Sequence, residues 1–122
     1  MSRPRHAGVP TSDTFRRIAL GMKDAVEGAH MGHPDFRVNG RIFATIHPDP
    51  AHGMVKLTPE QQQEFIRDHP AVFAPENGAW GRAGCTRVRF DAADEEVLGA
   101  ALTLARQNLG RSERSFTTKK RS

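Results

Sequence analysis

The first apolar positions of the chain recur at helical spacing. Phe15, Ile18, Ala19, Met22 and Val26 follow one another at i, i+3, i+4, i+7 and i+11, the stripe of a single helix face. Thr11 or Ser12 can cap this helix. Gly21 inside it costs about 1 kcal/mol against alanine. Gly28, and then Gly32-His33-Pro34, break any continuation.

The pattern then changes period. Phe36-Arg37-Val38 leads into Asn39-Gly40 and Arg41-Ile42-Phe43-Ala44-Thr45-Ile46. Asn-Gly accepts positive φ at both central positions of a tight hairpin turn, so the segment predicts two antiparallel strands. Alternation puts Phe36 and Val38 on one face. Ile42, Ala44 and Ile46 share a face, as do Arg41, Phe43 and Thr45. Residues 47–53 read as a loop and Met54-Val55-Lys56-Leu57 as a third short strand.

Thr58-Pro59-Glu60-Gln61 is a helix start with cap, first-turn proline and capping box. This helix turns Phe65 and Ile66 inward and stops near His69-Pro70. Val72-Phe73 is brief and extended, and a glycine-rich bend follows around Trp80. Thr86, Val88 and Phe90 alternate with Arg87 and Arg89, as in a strand with one wet face. Asp91 or Asp94 caps a closing helix whose apolar face is Val97, Leu98, Ala101, Leu102, Leu104, Ala105 and Leu109. The order of elements predicts an α+β architecture: an antiparallel sheet with helices packed on one face.

Length and charge refine this picture. At 122 residues the chain has room for one domain. The expected division is a disordered lead-in over residues 1–10, one domain over 11–109 and a basic disordered tail over 110–122. The net charge is +4, with +2 in residues 1–10, +5 in 106–122 and −3 between. The basicity therefore lies at the ends, and the domain itself is mildly acidic. No run suits a membrane helix, and the arginine-bearing start has no following apolar stretch of a secretory signal. The cytoplasm is the expected compartment. Cys85 is the single cysteine, so neither an intrachain disulfide nor a cysteine pair for zinc can form.

Candidate chemistry is sparse. His30, His33, His47, His52 and His69 are spread along loops. The first helix and its exit offer only Asp13, Asp24 and Glu27 as hard oxygen ligands, so no metal and no cofactor is expected. Arg82 and Arg87 lie near Cys85 in sequence and could lower its pKa, but a buried structural thiol is the expectation. Neither a nucleophile elbow nor a phosphate-cradling glycine loop is present. The expectation is therefore a protein that is not an enzyme. Arg37, Arg41, Arg87 and Arg89 could form a basic strip on a sheet face, joined by Lys119, Lys120 and Arg121 of the tail. Trp80 either plugs the core, which is the expectation, or stands at a ligand or partner pocket with Arg82. Met31 and Met54 are expected as packing residues.

Met31-Gly32-His33-Pro34-Asp35-Phe36-Arg37-Val38-Asn39-Gly40-Arg41-Ile42-Phe43-Ala44 resembles the central signature of the MmcQ/YjbR-like family. There the stretch commonly reads Trp-Gly-x-Pro-x-Phe-x-Val, a turn, then Lys or Arg, Ile, Phe, Ala. Lys56-Leu57 before a Pro-Glu helix start, Phe73-Ala74-Pro75, Trp80-Gly81 and the closing amphipathic helix are similar too. The resemblance spans about Phe15 to Leu109 and departs at Met31, where tryptophan is common. It implies a frataxin-like (CyaY-like) sheet covered on one side by helices, and a DNA-binding label. The leading expectation is thus a non-enzymatic protein that binds DNA weakly and without sequence preference, through strand arginines and tail. The alternative is a protein–protein or small-ligand module with a pocket around His33, Lys56, Trp80 and Arg82.

Overall fold

The structure is a computed structural model that describes the backbone of residues 9–121 and the side chains of residues 9–110. The elements run α1 (Ser12–Leu20), β1 (Val26–His30), β2 (His33–Val38), β3 (Arg41–Ile46), β4 (His52–Lys56), α2 (Pro59–Asp68), β5 (Phe73–Pro75), α3 (Gly78–Arg82), β6 (Cys85–Arg89) and α4 (Glu95–Arg121). The six strands form one antiparallel sheet in the order β1-β2-β3-β4-β6-β5. Asn39 and Gly40 take φ of 55° and 78° in the β2–β3 turn, as the Asn-Gly pair predicts. Thr58 and Gln61 exchange the two capping-box hydrogen bonds at the start of α2.

Cross-strand partners point to the same side of the sheet, which sorts the two faces. Phe36, Ala44, Val55 and Thr86 stand in one row and look toward the helices. Asp35, Thr45, Met54 and Arg87 stand in the next row and look away from them. α1 and α4 pack together over the first face, and the core joins Phe15, Phe36, Phe90, Leu98 and Leu102. Phe15 and Phe90 meet with ring centroids 4.8 Å apart. Full burial of each such side chain contributes roughly 1.5–3 kcal/mol.

Four expectations change. The first helix ends at Leu20, and Val26 opens β1, an edge strand absent from the sequence reading. Asp24, at φ 64°, turns the chain out of the helical direction. A bulge in β3 opposite Phe36 and Arg37 buries both Phe43 and Ala44, so strict alternation fails there and Ile42 looks away from the core. The bend around Trp80 contains the short helix α3. Finally, α4 continues through Gly110 to Arg121, where a disordered tail was expected. One glycine costs a helix about 1 kcal/mol, and no proline follows to stop propagation. Residues 1–8 of the expected lead-in lie outside the described residues.

Candidate functional site: the open face of the sheet

The face turned away from α1 and α4 has a hollow, with α3 along one side of it. A cavity of about 400 Å³ lies on it, between the β1–β2 turn and α3. Ile42, Thr45 and Met54 form its floor, and His30, His33, His47, Lys56, Glu76, Trp80 and Cys85 its walls. A second trough, over Arg41, Ile42, Lys56, Thr58, Asn108 and Leu109, shares Ile42, Lys56, Trp80 and Cys85 with the first. The two adjoin at these residues: the first cavity is the groove on the open face, and the trough runs round the end of the sheet to α4, with Lys56 and Trp80 at the junction.

Two residues rise conspicuously from the rim. Trp80 is 70% exposed, so it is not the core plug that its glycine-rich surroundings predicted. The reason is Gly81. A Cβ there would fall 1.8 Å from the Glu76 carbonyl oxygen, so Gly81 must be the residue of α3 that faces inward. Trp80, one helical step away, is carried to the outside. Met31 is 89% exposed at φ 50° in the two-residue turn between His30 and His33, and it too is not a packing residue. Met54, by contrast, is half-buried in the floor.

The carboxylates facing this surface are matched. Asp35 is fully buried and accepts two hydrogen bonds from Arg37, with His30 Nδ1 2.8 Å from Oδ2, the oxygen that also accepts from Arg37 Nη2. The Arg37 guanidinium holds the Asp35 carboxyl below the usual carboxylate range, against the opposing effect of burial. Glu76 lies 2.6 Å from His47 Nε2 and 3.4 Å from Arg87 Nη2. Burial pushes the Cys85 thiol up, while the Lys56 charge acts weakly in the other direction. The basic neighbours Arg82 and Arg87 do not activate it.

Residues 20–107 match the sequence model of the YjbR family. The chain belongs to the YjbR family. A crystal structure of a Deinococcus radiodurans protein with a DUF419 domain is similar in fold. It has 24% sequence identity and a TM-score of 0.64, over 77% of this chain and 74% of that one. No curated protein sequence matches the chain.

In this YjbR-family chain, the predicted residues fall into distinct groups. His33, Lys56 and Trp80 meet at the first cavity, while Arg82 is exposed on α3 and lines neither cavity. The strand arginines do not gather. Arg37 stands opposite Ile42 and Val38 opposite Arg41, so Arg37 and Arg41 look to opposite sides of the sheet. Arg37 on β2 and Arg87 on β6 are three strand spacings apart, roughly 14 Å. Arg37 is held by Asp35, Arg87 by Glu76 and Arg89 by Asp91 at 2.7 Å. The side chains of Lys119, Lys120 and Arg121 lie outside the described residues.

His30 and His33 are strand residues facing each other across β1 and β2, with rings 6.1 Å apart. Among the described residues, no group of three His, Cys, Asp or Glu side chains could hold a metal ion. Also among these residues, no helix is long and apolar enough to cross a membrane. From the sequence, His47 is weighed only as a metal ligand, and Asp35 and Glu76 are not singled out. Asp35 was legible, because Asp35 and Arg37 at i and i+2 of a strand must share a face. Glu76 needed the strand order, which brings His47 after β3 and Glu76 after β5 to one cavity.

Proposed function

We propose that this protein is a binding module that takes a small molecule in the groove on the open face of its sheet. The observation that carries this reading is Trp80, a large exposed aromatic standing over a concave, mostly apolar floor. Ligand sites combine these traits: an apolar hollow with a few polar groups at its edge. Met54 suits such a floor because its unbranched thioether adapts to the shape it meets. Burial pushes the Cys85 thiol up, which argues against its use as a nucleophile in the groove. A protein-observed NMR screen of small fragments tests the reading. Hits that shift β3, β4 and α3 amides support it, and a screen whose hits avoid those strands refutes it.

Weak DNA binding has less in its favour. A strip of guanidinium groups would attract phosphates, but Arg37, Arg87 and Arg89 already face carboxylates, which reduces the field available to a polyanion. What supports the idea is the excess of basic residues from Arg106 onward. A salt titration against generic duplex DNA, with the chain whole and cut after Gly110, measures both contributions. Affinity retained by the cut chain would restore the sheet-face proposal. Affinity absent at low salt from both would remove DNA as a ligand.

A further inference from the structure

We propose that the groove is selective for small aromatic anions, with the Lys56 ammonium anchoring the negative group and the Trp80 indole stacking on the flat body. This rests on reading the open face as a ligand groove, and it adds the class of ligand.

The charge inventory of the groove points this way. Glu76, the carboxylate lining the first cavity, is shared between His47 and Arg87. Asp35, behind His30, is buried under Arg37 and His30. Lys56 differs from all of these. It lines both cavities, and among the described residues it forms no ion pair. A cation at the edge of an apolar hollow, with neighbouring carboxylates already neutralised, favours an incoming anion and repels a second cation.

The shape selects the rest of the ligand. Lys56 and Trp80 are common to both cavities, so one molecule can touch them together. The indole offers a broad π surface to a flat ring. Ile42 and Met54 below it supply dispersion contact without asking for hydrogen bonds. A cavity of about 400 Å³ suits a molecule of one or two fused rings. A carboxylate or a small phosphate ester would satisfy Lys56 equally, and the shared feature is an anion attached to an aromatic body.

The test uses the whole chain and three probes of one shape: 2-naphthoate, neutral 2-naphthamide and cationic 2-naphthylmethylammonium. The reporter is the indole N–H signal, which is unique because Trp80 is the single tryptophan. The acid should shift it with a dissociation constant near or below about 1 mM. The acid should bind about tenfold more tightly than the amide, and the cation weakest, as expected for one charge-assisted contact. In Lys56→Met, which keeps the apolar stem, the acid and amide should bind alike. If acid and amide bind the wild-type chain equally, the anion class is wrong while the groove stands. If the preference for the acid survives in Lys56→Met, Lys56 is not the anchor and the proposal fails. If no probe shifts the indole signal, the groove reading itself falls.

Discussion

The buried Asp35 carboxylate accepts two hydrogen bonds from the Arg37 guanidinium, from Nε at 2.6 Å and from Nη2 at 2.9 Å. The two residues are separated by one position on β2, so they share the open face of the sheet. The pair leaves Arg37 engaged, and His30 Nδ1 on β1, 2.8 Å from the same carboxylate, links it to the edge strand. Its consequence is an acid limb in stability. Arg37 lowers the Asp35 pKa in the fold, so this contribution is complete above the carboxyl's unfolded value of about 3.9. It is lost as pH falls from there through the lower folded value. Asp35→Asn should cost about 1–2 kcal/mol at neutral pH, allowing for the solvent that reaches Arg37. The difference between the two proteins should shrink below about pH 4. Urea unfolding at several pH values measures it.

A second buried polar cluster supports α3. The Gln62 side-chain amide donates to the carbonyl oxygens of Gly81 and Cys85, each at 3.0 Å, and Thr86 Oγ1 donates to the Gly84 carbonyl at 2.8 Å. Gln62→Leu keeps similar bulk but removes the second donor of two carbonyls, which then keep only their backbone donors, Gly84 to Gly81 and Glu76 to Cys85. The expected loss is about 2 kcal/mol in urea unfolding. The Trp80 emission should change as well, because α3 loses its tie to α2.

Gly81 sets the direction of Trp80. With the Glu76 carbonyl oxygen 1.8 Å from where a Cβ would sit, Gly81→Ala forces α3 away from β5. Collisional quenching and the emission maximum of Trp80 should both shift from their wild-type values. The fold should persist, since the core over the opposite face is untouched. Far-ultraviolet circular dichroism checks this second expectation.

The Phe15–Phe90 contact is the heart of the covered face. Both rings are almost fully buried, and they belong to α1 and to the turn after β6. Phe90→Ala should cost about 3–5 kcal/mol. That is a large share of the stability of a domain this size. Thermal unfolding should show either a much lower midpoint or no transition.

Much of this fold is legible in the sequence because local chemistry and tertiary packing agree. Asn39-Gly40 between alternating segments, Thr58-Pro59 with Gln61, and the Thr86-Val88-Phe90 alternation each specify their element. β1 escapes because Val26 continues the helical spacing of Phe15 and Met22. Its remaining residues, Glu27, Gly28, Ala29 and His30, also have little strand preference. α3 escapes because two glycines in five residues argue against any helix. For the site, residue types pointed to His33, Lys56 and Trp80. The pairing of Arg87 with Glu76 depends on β6 lying between β4 and β5, a long-range fact that no local pattern carries.

The most direct measurement is a crystal structure of the chain soaked with the strongest fragment from the NMR screen. Ligand density is expected over Met54, between the Trp80 ring and His33. Density seated elsewhere, with this groove left to solvent, would contradict the proposed ligand groove.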